Sequence, residues 1–274
     1  MQVTEHVFVA HIDDKAAAHP GGSNIYFVGD PKDHMVIIDS GDQAMEWRNG
    51  ILQLYEDLGR PNISSILITH GHADHVGGLD RLFEVVQAPV RCHPKLVKKL
   101  GEIVGEENVL KVNSQERISV GAGLSLLAIN TPGHEVDHIC YYLRKEKVLF
   151  TGDTILGSSS STVRDLSDYM KSLDKLSRYS VEVICPAHGA LVESPRASRL
   201  IPWYIRHREE REKQVLLAIS NGVSDVDEMV KQIYPRNLKK ALRRAAAGNV
   251  RTHLDKLVKD GTVKERPASY TLKG

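Results

Sequence analysis

Cysteine is scarce in this chain, three among 274 residues. Cys92, Cys140 and Cys185 are an odd set with no close spacing, which argues against a disulfide framework and fits a reducing compartment. Also missing is any apolar run near the roughly 20 residues that a membrane span needs. The opening Met1-Gln2-Val3-Thr4-Glu5-His6 is neither a basic leader nor an apolar stretch. No signal peptide or mitochondrial presequence is therefore expected, and the expected location is cytoplasmic. The chain has 41% hydrophobic and 26% charged residues, an ordinary globular composition. Its length leaves room for a core of about 200 residues and a small second domain.

Histidine, by contrast, is concentrated. Thr69-His70-Gly71-His72-Ala73-Asp74-His75 follows the apolar run Ile66-Leu67-Ile68 and precedes Val76-Gly77-Gly78. Imidazole nitrogen and carboxylate oxygen are ligands that zinc accepts. Four such groups cannot all reach one ion from so short a segment. His70 and His72 alternate as on an extended strand end and share a side. Asp74 and His75 lie beyond the turn and face a second point, so two metals sharing one loop are expected. A lone histidine usually makes one ordinary hydrogen bond, but His-x-His-x-Asp-His directly after an apolar strand is a metal-site signal.

Further ligands are sought where short apolar runs end in Gly or Pro. Leu124–Ile129 runs into Asn130-Thr131-Pro132-Gly133-His134, Val148-Leu149-Phe150 into Thr151-Gly152-Asp153, and Val181–Ile184 into Cys185-Pro186-Ala187-His188-Gly189. Cys185, three residues before His188, is assigned to the core at a strand end, not to a metal.

These residues resemble the metallo-β-lactamase superfamily of metal-dependent hydrolases. THGHADH, TPGH, TGD and PAHG stand in the family's order and spacing over residues 1–195. The resemblance implies an α/β fold, a four-layer αββα sandwich with its site at one edge of the packed sheets. It implies that His70, His72 and His134 bind one metal, that Asp74, His75 and His188 bind the other, and that Asp153 bridges them. Two divalent cations are then expected, zinc first, although such donors also take manganese or iron. A hydroxide bridging them would be the nucleophile. Asp74 is expected to be catalytic, holding the second metal and relaying the hydroxide proton. Asp39 and Thr69 are read either as orienting partners of the ligands or as simple turn residues. Asn24 and Tyr26, beside Gly21-Gly22, are expected to line the site from the first hairpin, with a plain turn role for the two glycines as the equal alternative.

Net charge hides an asymmetry. Residues 1–195 carry 18 Lys and Arg against 26 Asp and Glu, a balance of −8, while residues 196–274 carry 18 against 9, a balance of +9. Such a split suggests a basic module for an acidic partner, nucleic acid foremost, with self-solvating charged helices as the alternative. The pattern from residue 196 onward predicts a helix ending at Asn221-Gly222. A second short helix is capped by Asp225 and Glu228 and closed by Pro235. A third spans Leu238 to Val258 with a break near Gly248-Asn249, and a hairpin pairs Thr262–Glu265 with Ser269–Leu272. That is the plan of a winged helix. The expected domains are thus a catalytic domain, 1–195, and a linker helix plus winged-helix-like domain, 196–274.

This combination narrows the resemblance to the branch of beta-lactamase-like protein 2, whose animal members are mitochondrial single-strand-specific endoribonucleases. The residues carrying it are Phe150–Gly157, Asp165-Leu166, Asp168-Tyr169-Met170 and the stretch Tyr204-Ile205-x-His207-Arg208-x-x-Arg211-Glu212. The serine-rich loop Ser158–Ser161 departs from the branch, and substrate choice in this superfamily is set by such loops. The implied activity is phosphodiester hydrolysis of single-stranded RNA, with Lys239, Lys240, Arg243, Arg244 and Arg251 engaging the phosphates. The alternatives are a thioester hydrolase of the glyoxalase II type or a lactone hydrolase, each acting on a small molecule, and a nucleic-acid-binding regulator whose metal site senses a ligand. No membrane partner is expected.

Overall fold

The computed structural model describes residues 1–15, 19–158, 160–235 and 237–265. Two sheets pack face to face. The first has strands β1 (Gln2–Thr4), β2 (Val7–Ile12), β3 (Ser23–Gly29), β4 (Met35–Ile38), β5 (Ile63–Leu67), β6 (Val90–Cys92) and β7 (Val109–Lys111) in that spatial order. The second runs β13 (Val192–Glu193), β12 (Val183–Pro186), β11 (Val148–Gly152), β10 (Ile139–Leu143), β9 (Ser125–Asn130), β8 (Arg117–Ser119).

Each central strand is covered on both faces, so it reads as a continuous apolar run whose alternate residues enter different cores. In β4, Met35 and Ile37 join the cluster under the helices, while Val36 and Ile38 face the other sheet. In β10, Ile139, Tyr141 and Leu143 enter the inter-sheet cluster, and Cys140 and Tyr142 point outward. Helices α1 (Met45–Asp57), α2 (Ala73–Val76), α3 (Leu79–Val86) and α4 (Val97–Val104) cover the first sheet. Helix α5 (Leu166–Leu176) and the start of α6 (Ala197–Ser220) cover the second. The four layers expected from the sequence are present. A fully buried Leu or Ile contributes about 1.5–3 kcal/mol, and these clusters hold dozens of such side chains.

Strand direction gathers the loops. β4, β5, β6 and β7 are parallel, as are β11 and β12, while β9 and β10 are antiparallel. The loops after β4, β5, β9, β11 and β12 therefore open at one edge, the usual place for ligands above parallel strands.

The 24-residue helix α6 serves two cores. Ala197, Leu200, Ile201 and Tyr204 pack against the second sheet, whereas Val215 and Ala218 pack with α7 (Val226–Ile233) and α8 (Lys240–Lys259). Asp225 caps α7, accepting from the Glu228 backbone N–H at 3.0 Å. Two details differ from expectation. Helix α8 continues through Gly248-Asn249 without a break. Ala246, Ala247 and Val250 are buried beside it and Asn249 accepts from Arg208, and that packing outweighs a glycine penalty of about 1 kcal/mol. In the hairpin, Thr262–Glu265 carries no strand among the described residues, and Ser269–Leu272 lies outside them. No described helix is long and apolar enough to cross a membrane.

Candidate metal centre

The shared edge is a concentration of imidazoles. His70 Nε2 lies 2.9 Å from His72 Nδ1, and His134 Nε2 lies 3.2 Å from the same atom. Asp153 Oδ2 is 3.6 Å from His134 Nε2. Ligand atoms of these four residues all lie within 4.8 Å of one another. The second carboxylate oxygen, Asp153 Oδ1, faces His75 Nε2 at 3.5 Å and His188 Nε2 at 3.3 Å. Asp74 Oδ2 sits 3.3 Å from His188 Nε2 and 3.9 Å from His75 Nε2. All seven residues singled out in the sequence thus meet in one place, in two groups joined by Asp153.

Each imidazole is held by its other nitrogen, which fixes the tautomer. His75 Nδ1 donates to Asp39 Oδ2 at 2.7 Å. His72 Nε2 donates to Glu135 Oε1 at 2.9 Å, and Arg164 clamps the other Glu135 oxygen at 2.7 Å. His134 Nδ1 donates to the Thr162 carbonyl at 2.8 Å. His70 Nδ1 faces Thr69 Oγ1 at 3.1 Å, whose own proton goes to Asp39. His188 Nδ1 donates to Ser23 Oγ at 2.8 Å, whose proton goes to Asp14. Each remaining nitrogen is turned towards the cluster.

Asp39 and Thr69 are orienting residues, and Asp39 takes a left-handed backbone (φ 65°) to accept from both the Thr69 amide and its hydroxyl. Asn24 and Tyr26 share a small void with Asp39, Thr69 and Gly152. They tie down the loop on both sides of His188, Asn24 donating to the Pro186 and Gly189 carbonyls and Tyr26 to the Pro186 carbonyl. Cys185 is buried between the sheets. Two glycines are required by close approach. A Cβ on Gly152 (φ 47°) would meet His138 Nε2 at 2.6 Å, and one on Gly133 (φ 137°) would meet the Tyr169 backbone at 2.4 Å.

Electrostatics follow from this crowding. Burial raises the Asp153 carboxyl, but His75, His188 and His134 prevail and hold it far below the carboxylate range. Asp74 is likewise depressed against its burial by His188 and His75. Burial would lower His75, yet Asp39 and Asp153 keep it well above an ordinary histidine. His70 and His134 are lowered, chiefly by burial. The centre therefore sets two firmly ionised carboxylates among convergent imidazoles, a donor set suited to cations.

Whether a metal fits is decided by orphaned atoms. His75 Nε2, His188 Nε2 and Asp153 Oδ1 are buried without a hydrogen-bond partner. Each such atom costs about 1–3 kcal/mol, and all three converge on one point. A divalent cation satisfies them together; the residues fit the group.

Two histidines at the site are absent from the sequence motifs. His138 is fully buried, its pKa pushed well down by burial and the neighbouring imidazoles, and its Nε2 accepts the Asp153 amide at 3.1 Å. It fixes the backbone of Asp153. His19, in the loop before β3, lies with Nε2 3.1 Å from Asp74 Oδ2. His138 follows His134 by four residues, but neither it nor His19 belongs to the Gly- or Pro-bounded motifs that marked the other ligands.

The fold and this centre define a metallohydrolase. Residues 18–188 match the model of the metallo-beta-lactamase superfamily, and residues 226–269 match the beta-lactamase associated winged helix domain. The chain belongs to the metallo-beta-lactamase superfamily, as a hydrolase carrying a C-terminal winged helix. It is 32% identical to a beta-lactamase-like protein 2 homolog of Caenorhabditis elegans over 92% of this chain and 83% of that protein. It is also 32% identical to an atrochrysone carboxyl ACP thioesterase of Passalora fulva, over 88% of this chain and 72% of that protein. A metallo-beta-lactamase family protein from Thermus thermophilus shares the fold, with a TM-score of 0.73, 22% identity and 95% of each chain covered.

Proposed function

We propose that the protein is a dinuclear metal-dependent phosphodiesterase acting on single-stranded RNA. The observation that carries this reading is a row of cations on α8. Lys239, Lys240, Arg243, Arg244 and Arg251 are all exposed, and none forms an ion pair among the described residues. Helix α8 is also joined to the loop leading out of the metal centre. Thr252 Oγ1 donates to the Val163 carbonyl at 3.2 Å, and Lys259 pairs with Asp165 at 3.2 Å. A polyanion lying along α8 is thereby led towards the site.

His70, His72, His134 and Asp153 would hold one ion, and Asp74, His75, His188 and Asp153 the other. Two divalent cations held there would supply a deprotonated water at neutral pH and charge neutralisation at the scissile phosphate. The protein's own work is to fix positions. Asp39 and Glu135 hold His75 and His72, the Asp153 carboxylate joins the two groups, and Asp74, its side chain 21% exposed, is the acceptor for a proton on the open side. His134 reports the position of the Thr162 loop through its Nδ1 hydrogen bond.

A thioester reading is favoured by the thioesterase relative, because the same cations polarise a carbonyl. The metal-loaded protein should therefore be assayed on single-stranded RNA, an acyl thioester and a small phosphodiester dye. Cleavage of RNA and dye with little thioester turnover is the expected result. Preferential thioester hydrolysis would overturn the RNA assignment while leaving the metal centre intact.

A further inference from the structure

We infer that Arg208 is a positioning residue for His134, so that the C-terminal helices help to set the first cation position; this rests on the metal reading above. Arg208 belongs to the stretch Tyr204–Glu212 of α6, a sequence motif that supplies no metal ligand. Three carbonyls in a row show how it acts. The Ser161 carbonyl accepts from Arg208 at 2.7 Å, the Thr162 carbonyl from His134 Nδ1 at 2.8 Å, and the Val163 carbonyl from Thr252 of α8 at 3.2 Å. The outer two are held by α6 and α8, the middle one by the metal ligand. Each peptide is planar and turns only about its flanking Cα atoms, so holding the outer two restricts the direction of the middle carbonyl. That carbonyl orients the His134 ring, whose Nε2 lies 3.2 Å from His72 Nδ1 and 3.6 Å from Asp153 Oδ2.

Arg208 is the firmer of the two holds, because the Thr252 hydroxyl has one proton and also reaches the Gly248 carbonyl at 2.8 Å. Its surroundings point to placement more than to stability. Its described partners are neutral: the Ser161 carbonyl, Asn249 Oδ1 of α8 at 3.2 Å and the Tyr169 ring. The guanidinium is buried, and its Nε has no hydrogen-bond partner among the described residues. An apolar side chain of similar volume would stabilise such a place as well or better. What it would lack is the planar fork that joins two elements at once. One helical turn earlier, the Tyr204 hydroxyl accepts from the Leu156 amide at 3.1 Å. The same face of α6 thus grips the chain at Leu156, after the bridging Asp153, and again at Ser161, before Thr162.

The test is zinc affinity of the full-length protein, measured by competition with a chromogenic chelator in two single-ion backgrounds. His188→Ala leaves the first position to bind, and His72→Ala leaves the second. Arg208→Met keeps most of the volume and removes the donors. It should weaken zinc about 10-fold in the His188→Ala background, as expected of a residue acting behind a ligand, and leave the His72→Ala background unchanged. Arg208→Lys, which keeps a donor, should recover part of the loss. Val215→Ala, a truncation in the core shared with α7 and α8, should lower Tm without moving either affinity. Equal weakening in both backgrounds would mean general loosening, and no weakening in either would mean mere packing. Each of those results overturns the inference and leaves the metal centre standing. If wild type takes up no zinc, the metal reading itself falls and takes this inference with it. Should Arg208→Met fail to fold by circular dichroism, Arg208→Lys in the same two backgrounds decides the matter, a loss confined to His188→Ala being the expected result.

Discussion

Asp153 and Asp74 differ in what they touch, and their substitution should separate binding from chemistry. Asp153 faces both groups of imidazoles, whereas Asp74 faces only the second. Asp153→Ala is expected to lower hydrolysis by roughly a thousandfold or more, several kcal/mol of transition-state stabilisation, and to reduce the metal content below two per chain. Asp74→Ala should lose comparable activity but keep one ion. Elemental analysis beside turnover checks both, and near-normal turnover with unchanged metal in Asp153→Ala would sink the dinuclear arrangement. The seven residues of the centre were legible because each closes an apolar run with Gly or Pro nearby. His19, His138 and Asp14 were not, since none closes an apolar run and their roles come from side-chain contacts that form only in the fold. Asn24 and Tyr26 were placed at the right edge, and only the structure shows their side chains turned to the Pro186 carbonyl.

Among the elements, α5, α6 and α8 share the task of holding the loop from Ser161 to Asp165. Arg208 of α6 is 3% exposed and donates to the Ser161 carbonyl at 2.7 Å and to Asn249 Oδ1 at 3.2 Å, with its guanidinium over Tyr169. Its neighbour in that loop, the Thr162 carbonyl, holds His134. Arg208→Ala leaves these acceptors unpaired and should destabilise the protein by about 2 kcal/mol, a fall of roughly 4–8 °C in Tm for a chain of this size. Thermal unfolding measures it; an unchanged Tm would mean water replaces the guanidinium. Asp165, which caps α5, adds a pH-dependent part. The Asp168 amide and Lys259 hold its carboxyl below the usual range. A depressed folded pKa stabilises above the unfolded value of about 4 and is lost as pH falls through the folded value. Asp165→Asn should therefore lower stability at pH 7 and converge on wild type as the pH falls below the usual carboxylate range, followed by denaturant melts across acidic pH. Helix existence here was readable from apolar spacing and the Asp225 cap. The missing break at Gly248 was not, because the packing of Ala246, Ala247 and Val250 against α6 and α7 is a tertiary effect that local propensity does not contain.

At the scale of the whole molecule, charge is divided: −8 over residues 1–195 and +9 over residues 196–274. The acidic part contains the centre that ions neutralise, and the basic part exposes the α8 row. Neutralising phosphates releases counterions, so binding of a long RNA should fall steeply as salt rises. Arg243→Glu with Arg244→Glu should raise the apparent KM on long single-stranded RNA several-fold and flatten the salt dependence, because about two phosphate contacts are lost. On a small phosphodiester the same double variant should keep kcat near wild type, since among the described residues neither side chain bonds to a metal ligand. Sequence preference should be slight, as phosphate contacts position a strand without reading its bases. Kinetics on both substrates at two salt concentrations distinguish the outcomes. Equal loss on both substrates would make the module a brace for the Ser161–Asp165 loop, in line with the Arg208 and Lys259 contacts. No loss on either would leave the cations as a solvated face and remove the physical support for RNA, and the thioester assay would then become the decisive one.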